Sequence, residues 1–252
     1  MTRKIALITG ANRGLGKNTA LHLAAQGVAI IGTYRSNAAE AAALVQQIEG
    51  DGGSAAMLQL DVGDSASFIA FVESVKELLR AKFGADQLDY LVNNAGMGIH
   101  AAIADMTEQQ FDELMSVHLK GPFFLTQKLL PSIVDGGRIV NVSSGLARFS
   151  FPGYAAYAMM KGGIEVMTRY MAKEFGARGI TVNTIAPGAI ETDFGGGAVR
   201  DNAELNQMVA SMTALGRVGQ PDDIGGAIAA LLSDGNRWVN AQRIEVSGGM
   251  LI

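Results

Sequence analysis

Seven short apolar runs, rich in valine, isoleucine and leucine, alternate along this chain with longer segments of helical periodicity. That alternation is what most limits its fold. The apolar runs are 4–9, 28–34, 55–60, 88–93, 138–143, 181–185 and 243–246. The helical segments between them are 15–26, 38–49, 65–83, 108–130, 155–178 and 222–232. A strand buried on both faces reads as a continuous apolar run, and strands joined through helices pair in parallel. The chain is therefore predicted to be α/β, a doubly wound parallel sheet of about seven strands with helices on both faces. A length of 252 residues fits one such domain, and no repeat, low-complexity tract or linker divides it.

Composition removes several function classes. The net charge is −4 with no basic block, which argues against nucleic acid as a partner. Without cysteine there is no disulfide, thiol nucleophile or thiolate metal site. The three histidines, His22, His100 and His118, are far apart in sequence, so no metal site is expected. No apolar stretch reaches the roughly 18 residues of a membrane span. Residues 1–10 carry a basic start and a short apolar run that ends in a glycine turn, read as a first strand and not as a secretion signal. A cytoplasmic protein is expected.

The first strand leads into Thr9-Gly10-Ala11-Asn12-Arg13-Gly14-Leu15-Gly16. Glycines between a strand and a helix allow a tight turn and seat a pyrophosphate on the backbone N–H groups of the helix N-terminus. After the second strand, where a carboxylate would bind the ribose of NAD, the chain reads Tyr34-Arg35-Ser36. Arg35 can pair with a phosphate, and Arg13 can converge on the same group. NADP(H) is therefore expected in preference to NAD(H). Asp61 and Val62 follow the third strand, where the carboxylate can meet an adenine amino group. Asn93, Asn94, Ala95 and Gly96 follow the fourth, at the cofactor-facing edge or as a plain turn.

Ser144 ends the fifth apolar run, and Tyr157 and Lys161 stand four residues apart on one face of the helical segment 155–178. An ammonium buried beside a phenol favours phenolate, so Lys161 is expected to pull the Tyr157 pKa down toward the range of a general acid or base. Tyr-x-x-x-Lys alone also occurs by chance.

Taken together, 9–16, Asp61, 93–96, Ser144, Tyr157, Lys161 and the segment from Asn183 to Thr192 resemble the short-chain dehydrogenase/reductase family over essentially the whole chain. Its 3-oxoacyl-reductase-like and carbonyl-reductase-like members are the nearest in pattern. The resemblance implies a Rossmann-type sheet and hydride transfer between a nicotinamide and a carbonyl or alcohol. It implies Tyr157 as the proton donor, Ser144 as the hydrogen-bond donor to the carbonyl oxygen, and Lys161 on the nicotinamide ribose. Pro187, Gly188, Ile190 and Thr192 would hold the nicotinamide. One position departs: His118 stands where the family usually has an asparagine that helps hold a water linking the lysine to solvent. Either this is a tolerated replacement, or His118 joins the proton relay with a near-neutral pKa.

Beyond Thr192, Gly195, Gly196 and Gly197 are expected to hinge a lid spanning about 189–215, with a helix over 201–212. Phe149, Phe151, Tyr154, Phe194 and Met212 are candidates for an apolar pocket. Segment 131–137 holds Asp135 and no lysine or arginine, although Lys128 and Arg178 lie near, so a free small carbonyl compound is favoured over a carrier-bound acyl group. The resemblance also implies a homotetramer paired through the helices 108–130 and 155–178. The expected activity is NADPH-dependent reduction of a ketone or aldehyde. The alternatives are NAD-dependent alcohol oxidation on the same fold, or a silent dinucleotide-binding sensor.

Overall fold

The computed structural model describes residues 3–252. All seven predicted strands form: β1 (Ile5–Ile8), β2 (Ala29–Tyr34), β3 (Ala55–Gln59), β4 (Leu88–Asn93), β5 (Ile133–Val142), β6 (Thr181–Pro187) and β7 (Arg243–Val246). They make one parallel sheet in the order β3-β2-β1-β4-β5-β6-β7. The order reverses between β1 and β4, and the crevice at the carboxyl ends of those two strands is where ligands bind in open sheets of this kind.

Successive strand residues point to opposite faces, and both faces are buried. Ile5, Leu7, Ile31, Leu91, Ile139 and Val182 pack on one side with residues of α3 (Phe68–Leu78), α5 (Gly121–Leu129) and α6 (Ala155–Phe175). Ala6, Ile8, Ile30, Val92, Val140 and Ile185 pack on the other with α1 (Gly14–Ala25), α2 (Ala38–Gly50) and α9 (Pro221–Leu231). The uninterrupted apolar runs of the sequence are the signature of this double burial.

Two predicted helices are less regular than their periodicity implied. Segment 108–130 divides into α4 (Glu108–Met115), a wide π turn at Ser116–Lys120, and α5. The break sits before Pro122, which has no N–H to continue the ladder. It also sits at Gly121, whose missing Cβ would lie 2.2 Å from the Val62 carbonyl oxygen. Segment 65–83 begins as a 3₁₀ turn at Ser65–Ser67, continues as α3, and ends in a π turn at Leu79–Phe83. There Gly84 leaves the helix in the left-handed region.

β5 starts five residues earlier than expected, and its register against β4 shifts between the Leu88–Ile133 and Tyr90–Arg138 pairs. Buried Arg138 donates to the Leu232 carbonyl at 2.5 Å and to the Ser233 carbonyl, and it pairs with Asp234 at 3.1 Å. Arg178 is bound to Asp135 at 2.7 Å and to the carbonyls of Leu130 and Ile133. This arginine therefore serves the fold at the end of the sheet remote from the crevice.

Candidate active site

The crevice is held together before any ligand enters. Thr9 Oγ1 accepts the N–H groups of Asn94 and Ala95, both at 3.0 Å. The Asn94 amide donates in return to the carbonyls of Thr9 and Gly10. These bonds fix the β1–α1 turn to the loop after β4. Gly10 and Gly14 are left-handed, at φ +64° and +55°. Gly16 is required by contact: a Cβ there would stand 2.2 Å from the Gly10 carbonyl oxygen. Arg13 occupies the N-cap of α1 without a side-chain cap bond, so the first N–H groups of the helix are free for an anion. This is a fitting seat for a dinucleotide pyrophosphate.

At the end of β2, Tyr34 is half-buried, and Arg35 and Ser36 are exposed. Among the described residues Arg35 has no ion-pair partner, so its guanidinium is available to a phosphate. The Arg13 side chain faces Asp193 of the lid at 3.9 Å. The Asp61 carboxylate is exposed but accepts the Gly63 N–H at 2.8 Å, and Val62 is buried.

Asn93 corrects the expectation placed on it. Its amide is buried and donates to Thr126 Oγ1 at 3.0 Å and Asn141 Oδ1 at 2.8 Å. Asn141 continues to Thr168, which accepts from Thr184. The bonds from Asn93 Nδ2 turn the side chain inward, away from the cofactor edge, and leave Oδ1 buried without a partner among the described residues. Ala95 is half-buried and Gly96 exposed.

Pro187 is buried at the end of β6, and Gly188 donates to the Val246 carbonyl. Ile190 bridges to Gly219. The Thr192 hydroxyl accepts the Phe194 N–H at 3.2 Å, and its methyl lies over Gly14. The start of the lid thus touches the glycine turn.

Ser144 follows β5 in an extended conformation, its hydroxyl accepting the Leu146 N–H at 3.2 Å. Tyr157 and Lys161 are both buried in the first turns of α6. Lys161 Nζ donates to the Val142 carbonyl at 2.7 Å and stands 5.6 Å from the Tyr157 ring centre.

The electrostatics differ from the sequence expectation. Burial pushes the Tyr157 phenol well above its usual pKa. The facing Ser144 hydroxyl lowers it only in part, and Tyr154 raises it. Lys161 does not pull the phenol down, because burial lowers its own pKa to about 7 and its ammonium is committed to Val142. Tyr157 is therefore a protonated phenol at neutral pH, the form a general acid needs.

A lysine lowered from 10.5 to about 7 has a consequence for stability. Between those two pH values the unfolded chain binds the proton and the folded one does not. Stability therefore rises with pH across that window, and the full cost of the buried charge is carried below it. Lys161→Met is expected to melt at a higher temperature than the parent at neutral pH. The gap should close as the pH rises toward about 10, which thermal melts across that range will check. A variant that melts lower at every pH would contradict the assignment.

His118 is fully buried. Its Nε2 donates to the Met97 carbonyl at 2.7 Å, the shorter of two contacts with that residue. This leaves Nδ1 buried without a partner. The ring stands edge-on to Tyr157 with centroids 5.1 Å apart, and Gly96 leaves room for it. Burial, with Lys161 nearby, lowers its pKa to about 3. The near-neutral titration expected of a relay histidine is absent, because the site cannot hydrate an imidazolium. What His118 does is pin the loop after β4 to the π turn at Ser116–Lys120.

A second set of charges behind Ser144 carried little sequence signal. Ser143 donates to Glu165 at 2.8 Å, Arg243 pairs with Glu165 at 2.7 Å and Glu245 at 3.1 Å, and Arg148 joins Glu245 at 3.2 Å. Only Glu165, one turn beyond Lys161 on α6, was readable from spacing.

The expected pocket residues divide into two groups. Phe149, Phe151 and Met212 pack with Val209, Val218 and Met250 in one cluster that joins the lid to its surroundings. Phe194 lies against Tyr157, and Tyr154 lies edge-on to His100. The lid helix expected over 201–212 is interrupted at Asn202. That residue separates α7 (Ala198–Asp201) from α8 (Ala203–Ser211) and caps α8 by accepting the Leu205 N–H. Among the described residues no cluster of metal-ligating side chains occurs.

Comparison with known proteins agrees with this geometry. Residues 10–251 match the family described as enoyl-(acyl carrier protein) reductase. A 3-oxoacyl-[acyl-carrier-protein] reductase, FabG, of Staphylococcus aureus is 36% identical over 249 residues, 98% of each chain. The promiscuous reductase LugOII, which catalyses keto-reduction at C1 in lugdunomycin biosynthesis, superposes with a TM-score of 0.94 at 39% identity, covering 100% of this chain and 99% of its own. The angucycline C-6 ketoreductase LanV with bound NADP superposes at 0.93 with 37% identity, covering 98% and 95%. The chain belongs to the short-chain dehydrogenase/reductase family.

Proposed function

We propose that this protein reduces a free, hydrophobic ketone to an alcohol with NADPH, using Tyr157 as the general acid. The observation that carries this reading is the meeting of Ser144, a protonated Tyr157 and Lys161 at one site. The enzyme is an oxidoreductase acting on C=O and CH–OH groups, and its cofactor is NADP(H). Gly10–Gly16, Arg35, Pro187, Gly188 and Thr192 would hold that cofactor, with Lys161 on its ribose. Once bound, it supplies the hydride.

The chain's own residues manage the proton and the charge. Ser144 donates a hydrogen bond to the carbonyl oxygen as negative charge develops there. Tyr157 gives that oxygen its proton. A phenol is protonated at neutral pH, so Tyr157 holds the proton that the reducing direction needs. Lys161 at a pKa of about 7 is partly neutral near physiological pH and can pass a proton inward. The exposed apolar residues Phe123, Phe124, Val166 and Tyr170 on α5 and α6 fit assembly as a homotetramer, which sedimentation will test.

The test is NADPH and NADH oxidation over a panel of ketones, diketones and acyl thioesters. A preference for free hydrophobic ketones with NADPH supports the reading; turnover of thioesters alone would overturn the substrate class. Arg35→Ala is expected to raise the KM for NADPH about 10- to 100-fold, the worth of a charge-assisted hydrogen bond. It should leave the KM for NADH nearly unchanged. An equal rise for both cofactors would remove Arg35 from the phosphate site.

A further inference from the structure

Phe194 is the one aromatic residue of the lid segment 189–215. Phe149 and Phe151 are held in the cluster with Met250 and Met212. Phe194 instead lays its ring on the catalytic tyrosine, with centroids 5.6 Å apart and planes at 55°, and it remains 43% exposed. A further neighbour is Gly98. A Cβ at that position would stand 3.0 Å from both Cε1 and Cζ of the ring. Gly98 is not among the left-handed glycines, so the close approach of the ring is the constraint seen there.

The chain around Phe194 is anchored on one side and turns through three glycines on the other. On one side the Thr192 hydroxyl holds the Phe194 N–H, and Asp193 pairs with Arg200 while facing Arg13 of the glycine turn. On the other side Gly195, Gly196 and Gly197 are all left-handed, at φ +62°, +77° and +78°. A Cβ at Gly195 or Gly196 would meet nothing within 4 Å. These two glycines are there for backbone freedom and not for packing. Across the mouth, the His100 ring covers Gly153 and stands edge-on to Tyr154, centroids 4.9 Å apart.

We propose that Phe194 is the specificity-determining residue of the cleft, a hinged aromatic plate that favours ketones with a flat fused-ring system beside the carbonyl over acyclic ones. The proposal rests on the ketone-reductase reading and names its substrate class. A flat ring that takes its place against Phe194 covers the apolar surface the plate leaves exposed and adds an aromatic contact. An alkyl chain offers the area without the aromatic geometry.

The experiment compares kcat/KM for α-tetralone, a fused aryl ketone, with that for hexyl methyl ketone. The proteins are the parent, Phe194→Ala, Phe194→Leu, Gly98→Ala and the Phe194→Ala/Gly98→Ala double variant. Phe194→Ala and Phe194→Leu are expected to lower the tetralone-to-alkyl ratio about tenfold, through KM. Leucine keeps the bulk but not the flat face. Gly98→Ala should shift the ratio the same way by displacing the ring, and it should add nothing once Phe194 is already alanine. A ratio unmoved by Phe194→Ala, or single effects that simply multiply in the double variant, would overturn the proposal alone. A parent protein that turns over neither ketone would overturn the reductase reading, and this proposal with it.

Discussion

Replacing Tyr157 with phenylalanine lowers kcat for ketone reduction by about 10²- to 10⁴-fold, the contribution of a positioned general acid. The dissociation constant for NADPH should change by no more than about threefold. The substitution removes only a hydroxyl from a ring that is 6% exposed. Burial already drives the phenol to stay protonated, so no buried charge is created or lost. The ring keeps its edge contact with His118 and its contact with Phe194. Steady-state rates with fluorescence titration of NADPH will separate chemistry from binding. Loss of NADPH affinity in step with the rate would mean that the phenol serves the fold of the site and not the proton transfer.

Gly16→Ala is expected to destabilise the protein by about 1–3 kcal/mol, as overpacking does, and to raise the KM for NADPH more than about tenfold. Helix propensity alone predicts the opposite sign, since alanine in a helix is favoured over glycine by about 1 kcal/mol. Geometry decides against propensity here. The added methyl would stand 2.2 Å from the Gly10 carbonyl oxygen and 2.5 Å from Asn94 Nδ2. One of these is backbone, and the other is the amide that ties the two loops of the crevice together. Relief requires α1 to move away from the turn that seats the pyrophosphate. Gly50→Ala, at the end of α2 with nothing within 4 Å of its Cβ position, is the control and should not destabilise. Denaturant melts of both variants, with KM for NADPH, check the pair. A Gly16→Ala protein as stable and as tight-binding as the parent would contradict the close approach.

The sheet was legible because double burial writes itself into sequence as uninterrupted apolar runs. Each of the seven strands appears where such a run lies. The glycine turn and the Ser144, Tyr157 and Lys161 set were legible because spacing on a strand end or helix face carries over into space. What failed depended on neighbours distant in sequence. Asn93 turns inward because Thr126 and Asn141 wait for it on α5 and β5. Glu165 and Arg243 meet only because α6 crosses the sheet near β7.

The pKa directions were the least legible feature. Reference values and charge pairing argued for a lowered Tyr157 and a near-neutral His118. Desolvation outweighed both, since each group lies deep in the fold. The helix breaks at Ser116–Lys120 and Asn202 were likewise hidden. The first serves the close approach of Gly121 to Val62, a long-range contact that periodicity cannot report.

The most direct test of the central claim is isotopic. The protein is incubated with NADPH deuterated at nicotinamide C4 on the transferred face and with a fused-ring ketone, and the product is read by mass spectrometry. Ketone reduction by hydride transfer predicts an alcohol carrying one deuterium on the former carbonyl carbon, formed about 10²- to 10⁴-fold more slowly with Tyr157→Phe. NADPH that binds tightly while no ketone of the panel yields deuterated alcohol would contradict the account and leave a dinucleotide-binding protein without this chemistry.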